Sequence, residues 1–363
     1  MGKKYKRLYE QIYTFDNLWR AARKARRCKR VKKAVLEFEY DLENKLLEIQ
    51  QRLKDETYQF SPYTFFTIYE PQERHVAAAP YQDRVVHHAI CNIIEPILDS
   101  AMIYDCYACR KGKGSHAAIE RAQQFLRNHN WVFKLDIKKY FFTIDHNLLL
   151  IDLCRKISDE RLLRLLDQLL ATYKSPSEYH FFSSNYHSND NRYRPIGLPI
   201  GNLTSQLLAN YYLTALDRFI KEKLHIKHYL RYMDDAILFA NSKPELISAK
   251  ENIACFLSRR RLKLHEHKCQ LFPARHGVKF LGFHIYPYQK KILRANLQRF
   301  KKRWQEKSWR YQNQQILWQH LLLSLNGWLG FAYKEENRKM INQMLAKIRF
   351  QHPGRQNKFT FFA

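Results

Sequence analysis

Apolar positions recur at steps of three and four through residues 5–57: Leu18, Ala21, Ala22 and Ala25, then Val35, Phe38, Leu42, Leu46, Ile49 and Leu53. That spacing stacks side chains on one face and predicts helices. Residues 63–79 read as strand, turn, strand around Pro71, and Tyr81 to Leu98 as a helix ending near Pro96. Ser115 is placed to cap a helix over 116–128, and Asp145 to cap one over 146–157; a further helix covers 159–172. Trp131 to Ile137 has the composition of a buried strand, and Leu203 to Lys223 of a helix. The polar stretch 174–195 reads as a surface loop. A helix is expected over 244–261. A strand is expected over 278–285, paired with 288–293, and a helical tail over 295–350. No internal repeat is visible.

Within this pattern the sequence Tyr232-Met233-Asp234-Asp235 stands between two strand-like apolar runs. Adjacent carboxylates repel and resist losing water, so such a pair calls for a cation. A hard divalent ion with oxygen ligands suits them, and Mg²⁺ is the usual choice where phosphates react. Strand residues alternate faces, so both carboxylates serve one site only if a tight turn falls at or beside them. A solvated Asp-Asp turn is the competing reading. Asp136 is a third carboxylate at the end of the run Val132–Asp136. On one antiparallel sheet the three can hold two ions about 3.5–4 Å apart, the geometry that clamps attacking and leaving oxygens in phosphoryl transfer.

Charge changes the picture further. Lys and Arg number 63 against 34 Asp and Glu, a net charge of +29. The excess implies a polyanionic partner, nucleic acid first. Cations are densest from Arg20 to Lys33, and the 23 Tyr and 23 Phe suit stacking on bases as well as packing in a core. No apolar run reaches 18 residues and the basic start has no apolar segment behind it, so neither a membrane span nor a signal peptide is expected. Seven irregularly spaced Cys fit a reduced, cytoplasmic protein. His265, His267 and Cys269 alternate and can share a strand face, but no second Cys pair completes Cys106-x-x-Cys109 as a zinc site.

The ordered set Asp136 then Tyr232-Met233-Asp234-Asp235 resembles the palm of reverse transcriptases, and the resemblance runs from about Leu8 to about Leu293. The segments Arg74 to Ile90 and Cys109 to His116 look like the fingers of bacterial members; Val278 to Gly282 is similar to the segment that grips the primer end. The resemblance implies an α+β right-hand polymerase fold. Residues 1–60 would be a basic helical segment and 61–130, with part of 160–200, the fingers. The palm would occupy 131–285, and a helical thumb and tail 286–363. It implies Asp136, Asp234, Asp235 and the Ile137 carbonyl as ligands of two Mg²⁺, with Mn²⁺ a possible substitute. Asp235 is the less direct ligand. Arg74, Tyr140, Phe141, Ile200, Gly201 and Gln206 would surround the incoming nucleotide, with Phe141 as the aromatic gate that excludes a ribose 2′-hydroxyl. Arg110, Lys113, Tyr232, Met233, Leu281 and Gly282 would meet template or primer. On spacing alone Phe141 is equally an ordinary core residue.

The segment Gly197-Leu-Pro-Ile200-Gly201-Asn-Leu-Thr-Ser205-Gln206 narrows the resemblance. Most reverse transcriptases carry Gln where Ile200 stands. The variant resembles the reverse transcriptases of diversity-generating retroelements, although Thr143 and Cys106 replace the usual Ser. That group implies a structured template RNA, an RNA–cDNA duplex, deoxynucleotides and a small basic oligomeric accessory protein as partners. It also implies copying errors concentrated at template adenines. Loss of a polar contact near the nucleotide removes a penalty on wrong geometry. About seventy residues follow Leu293, so a thumb is expected and no maturase, nuclease or RNase H segment. Another bacterial reverse transcriptase is the second reading. A non-catalytic RNA-binding scaffold is the third, and it would have no reason to keep clustered repelling carboxylates.

Overall fold

A computed structural model describes residues 4–69, 73–176, 178–179, 195–332, 335–346, 349–351 and 358–360. The chain divides into two compact units. One comprises Met1–Gly114, Phe133–Leu238 and Lys243–Gln270; the other comprises Ser115–Val132, Phe239–Ser242 and Leu271–Ala363.

In the first unit the expected N-terminal helices form as Phe15–Ala25, Lys33–Tyr40 and Leu42–Lys54. Leu18, Ala21, Ala22, Ala25, Val35, Phe38, Leu46, Ile49 and Leu53 are buried, while Arg20, Arg23, Lys24, Arg27, Lys29 and Arg30 stay exposed. The first of these helices packs on the long helix Tyr81–Asp99, and Asn17 donates to the carbonyl of Ala89 at 3.1 Å to fix the contact. That long helix continues through Pro96 rather than ending there. Proline removes one donor, but this near the C-terminus the next N–H groups close the turn, Ser100 onto Pro96 and Ala101 onto Leu98. Strands Thr64–Tyr69 and Glu73–Ala78 pair as an antiparallel hairpin; Pro71 lies outside the described residues.

Strands Tyr229–Tyr232, Asp235–Ala240 and Trp131–Asp136 lie side by side in that order. Their aromatic and β-branched side chains fill a pleated, buried surface; Tyr229, Leu230, Ala236, Ile237, Leu238, Phe133 and Leu135 are all buried. Asp145 and Asp159 cap helices His146–Cys154 and Glu160–Ala171 by accepting from Leu148 and Leu162. The single helix expected over 203–223 is three pieces: Leu203–Tyr212, Thr214–Arg218 and a wider π-type turn, Phe219–Lys223. Most of the loop read at 174–195 lies outside the described residues.

In the second unit, helix Ser115–Asn128 starts at the expected cap. The strand expected over 278–285 is instead two strands, Val278–Phe280 and Phe283–Ile285, with Lys290–Ile292 beside the second. The break falls at Leu281 and Gly282, with φ of 47° and 88°. A Cβ on Gly282 would stand 2.7 Å from the Phe331 ring, so glycine is required by both backbone and space. The tail is three helices, Arg294–Gln312, Trp318–Ala332 and Glu335–Ala346, around Phe300, Trp304, Tyr311, Leu321, Leu325, Ile341 and Leu345. Phe300 and Trp328 stack with centroids 3.8 Å apart. A short hairpin, Arg349–Gln351 with Lys358–Thr360, follows. Among the described residues no helix is long and apolar enough to cross a membrane.

The most demanding residue of the first unit is Arg231, a fully buried cation inside a strand. Its guanidinium makes a two-pronged pair with Asp217, at 2.7 and 2.6 Å. It also donates to the Asn210 side chain at 2.7 Å, the Asn210 carbonyl at 3.1 Å and the Met233 carbonyl at 3.0 Å. Tyr229 donates to the same Asp217 oxygen at 2.9 Å. Removing one partner strands a buried charge, which costs about 3–5 kcal/mol. Asp217→Ala is therefore expected to lower unfolding free energy by that much in urea titration. A loss under about 1 kcal/mol would contradict the account.

Candidate active site

The tight turn required by the carboxylates is present. Tyr232 faces Asp235 across the hairpin, so Met233 and Asp234 are its two-residue loop. Met233 has φ of 55°, a left-handed conformation that a residue with a side chain adopts at a cost of about 1–3 kcal/mol. The Arg231 guanidinium on the Met233 carbonyl holds that turn in place. Asp234 thus sits on the loop and Asp235 opens the return strand.

Asp136 ends the neighbouring strand. Its carbonyl accepts from the His265 N–H at 2.8 Å, and the Lys138 N–H donates to Lys263 at 2.9 Å. These bonds flank the bridge between Ile137 and Leu264, so the Ile137 carbonyl points away from Leu264. Burial raises the Asp234 carboxyl above the ordinary range, and the charge of Asp136 adds to it. Burial likewise lifts Asp235 to about 6; Lys134 opposes this, while Asp234 and Asp136 reinforce it. The three carboxylates therefore feel one another across the sheet. Two lysines sit against them. Lys134 lies 3.3 Å from Asp235 and Lys268 lies 3.6 Å from Asp136. Neither was singled out in the sequence, where an alternating Lys in a basic chain carries no signal.

A second group of expected residues gathers beside the helix Leu203–Tyr212. Backbone bonds tie Leu198 to Phe141 at 2.7 Å and Gly197 to Ile144 at 2.8 Å; Ala77 of the hairpin donates to the Ile200 carbonyl at 3.0 Å. Asn202 donates back to the Ala77 carbonyl at 3.0 Å. Gly201, at φ 116°, lets Val76 approach; a Cβ there would stand 2.8 Å from its methyl. Alternation places Arg74 on the same strand face as Val76, and Arg74 is exposed. Phe141 is half-buried, as are Ile200 and Gln206. A cleft of about 660 Å³ is walled by Gly201, Gln206, Val76, Arg84, Lys29, Lys32 and Lys33, so part of the basic run opens onto this loop. His87 and His88 also line it, with burial pushing their pKa values down to about 3 and about 4, so the cleft's charge comes from Lys and Arg.

The remaining expected residues are placed as follows. Tyr140 is only 2% exposed and donates to the Ala209 carbonyl, which makes it a core residue rather than a nucleotide contact. Arg110 is held by Asp99 and by the carbonyls of Ile103 and Cys106 at 2.7 and 2.9 Å, so its donors pin a turn instead of a template. The Lys113 ammonium sits 3.3 Å from the centroid of the Tyr104 ring and 5.2 Å from that of Tyr107. Residues 266–268 form a turn, which breaks the strand-face alternation of His265, His267 and Cys269. Leu281 and Gly282 belong to the second unit.

The family described as Reverse transcriptase (RNA-dependent DNA polymerase) matches residues 70–285, more than half of the chain. The chain belongs to that family, and its helices and antiparallel sheets are those of the right-hand polymerase fold. Among curated proteins it is similar to the group II intron-encoded protein LtrA of Lactococcus lactis subsp. cremoris, 29% identical over 49% of this chain and 28% of that protein. Protein YkfC of Escherichia coli is 27% identical over 48% of this chain and 45% of that protein. A putative COX1/OXI3 intron 1 protein of Saccharomyces cerevisiae is 27% identical over 50% and 21%. The chain thus spans less than half the length of these relatives. Apo telomerase from Candida tropicalis, truncated from its C-terminal domain, superposes with a TM-score of 0.49 at 12% identity, over 64% of this chain and 55% of that one.

Reverse transcriptase domains use divalent metal ions. Among the described residues no group of three or more His, Cys, Asp or Glu is gathered tightly enough to hold an ion as it stands. The donor chemistry nonetheless fits a hard cation. The carboxylates repel one another, and Asp235 Oδ1 is buried with no hydrogen-bond partner. The raised carboxyl has a stability consequence. A native pKa near 6 against about 3.9 unfolded means the folded state binds the extra proton between those values, so stability falls as pH rises through that window. Asp235→Asn is expected to raise the metal-free thermal midpoint at pH 7.5, with the gain vanishing near pH 4. An equal gain at both values would contradict the assignment.

Proposed function

We propose that the chain is an RNA-directed DNA polymerase that makes error-prone cDNA from a structured template RNA, as in a diversity-generating retroelement. Asp136, Asp234, Asp235 and the Ile137 carbonyl hold two Mg²⁺, with Mn²⁺ a possible substitute. Bound there, the ions supply activation of the primer 3′-hydroxyl and neutralisation of the triphosphate. Met233 and Tyr232 present the hairpin loop to the primer end, and Arg74 meets the triphosphate from the hairpin. Phe141 fills the space of a ribose 2′-hydroxyl. Lys29, Lys32 and Lys33 line the cleft for the template backbone, where each neutralised phosphate adds salt-dependent affinity. Residues around the hairpin act as fingers, the carboxylate-bearing sheet as palm, and the helices after Leu293 as thumb. A small basic oligomeric accessory protein and a cytoplasmic setting complete this reading.

One observation carries the low-fidelity part. Ile200 stands half-buried beside Gly201, its carbonyl accepting from the Ala77 N–H, where a side-chain amide would offer a nucleotide two donors. An aliphatic group there leaves nothing unpaired when the wrong base enters. A group II intron-type role is the second reading, favoured by the similarity to LtrA. Primer extension on an RNA template with deoxynucleotides separates the layers. Asp234→Ala/Asp235→Ala is expected to abolish extension, and Ile200→Gln to lower errors at template adenines several-fold. Extension by the double Ala variant would remove the carboxylates as catalytic groups. Unchanged adenine errors with Ile200→Gln would remove the fidelity reading alone.

A further inference from the structure

A second pocket, of about 340 Å³, shares no residue with the carboxylate site or the basic cleft. Its size falls within the range of small-ligand pockets, ~300–1,000 Å³. Arg155, Lys156, Arg218 and Arg260 line it against a single carboxylate, Asp152. Asp152 is already taken by two of these cations. It pairs with Arg260 and, at 3.2 Å, with Arg155. Its own carbonyl accepts from Tyr211 at 3.0 Å. Arg218 donates to the Ala101 carbonyl at 3.3 Å, a bond that leaves most of its five donors for something else. Four cations around one acid is a net positive pocket, and a structure that only needed to neutralise Asp152 would use one of them.

The walls give the ligand its second feature. Phe256 and Tyr211 bring aromatic surface, and Phe256 is held rigid by stacking on Phe219 with centroids 4.5 Å apart. Thr214 also lines the pocket. It is 5% exposed, and its hydroxyl has no hydrogen-bond partner. A buried hydroxyl without a partner costs about 1–3 kcal/mol unless a ligand completes it. Cations for a phosphate, an aromatic wall for a base and a hydroxyl for a sugar or base edge together match one nucleotide.

We infer that this pocket binds a single nucleotide unit, its phosphate among Arg155, Arg218 and Arg260 and its base against Phe256, at a site separate from the polymerising centre. The unit is a free nucleotide or an unpaired residue of an RNA strand; the chemistry is shared. The site does not depend on the fidelity reading or on catalysis, so it can be tested in the inactive Asp234→Ala/Asp235→Ala background.

The test is photocrosslinking of the full chain with 8-azido-ATP and, separately, with a 4-thiouridine-labelled single-stranded RNA, followed by peptide mapping. Label is expected on the peptide carrying Phe256 or on that carrying Tyr211. Label from 8-azido-ATP assigns a free nucleotide, and label from RNA alone assigns an unpaired residue. Arg155→Glu/Arg218→Glu is expected to cut it about tenfold, equivalent to ~1.4 kcal/mol. The milder Thr214→Val keeps shape and is expected to reduce it several-fold even if the charge reversals disturb folding. No label at this pocket from either probe overturns the inference. So does label that both variants leave unchanged, or label displaced equally well by poly-glutamate, which would make the site a docking point for acidic protein.

Discussion

The carboxylate site depends on a cation that never reaches it. Arg231 is buried within the strand that leads into the carboxylate hairpin, and its guanidinium reaches both back to Asp217 and forward to the Met233 carbonyl. A charge in that position is stable only with every donor used. It is paired in two prongs to Asp217 and bonded to Asn210, which ties the helices at 203–218 to the hairpin. The reward is geometric. Met233 sits at a positive φ that a free chain would avoid, and the bond to its carbonyl is one of the contacts that fix it there. Asp234 then sits on the loop, near enough to Asp136 for that charge to raise its carboxyl.

That placement makes an electrostatic problem of its own. Burial raises Asp234 and Asp235, and mutual repulsion adds to the shift. Lys134 and Lys268 offset part of this charge on Asp235 and Asp136. Asp235 Oδ1 is left without a partner. Such a site stores an appetite for cations, which is the property a phosphoryl-transfer centre needs. The loop around Ile200 and Gly201 is a separate construction, fastened by backbone bonds to Phe141 on one side and to the hairpin strand on the other. Its side chains can therefore change without loosening the carboxylates.

Much of this was legible in the sequence because it rests on periodicity and on turn chemistry. The strand–turn–strand around Met233 and Asp234, the cap at Asp145 and the amphipathic N-terminal helices all follow from residue type and spacing. What escaped depends on burial. Tyr140 and Phe141 are adjacent aromatics, and only the packing shows that the first is core and the second half-exposed. Arg110 looked like any other cation of a basic chain until its partners were seen. The break at Leu281–Gly282 hid in a run that reads as one strand, although the glycine marked it. Arg231 and Asp217 left one usable sign, an arginine between Leu230 and Tyr232 in a run otherwise fit for a core strand.

If the buried pair works mainly by fixing the turn, its charge is dispensable for folding but not for chemistry. Buried ion pairs can often be replaced by apolar residues of similar volume at little cost, within a few kcal/mol. The decisive measurement is primer extension on an RNA template by the folded Arg231→Met/Asp217→Leu variant, with its unfolding free energy measured alongside. The account predicts a folded variant, destabilised through the partners withdrawn from Tyr229 and Asn210, and extension reduced by about a hundredfold or more, ~2.7 kcal/mol of lost positioning. Native extension rates in that folded variant would contradict it.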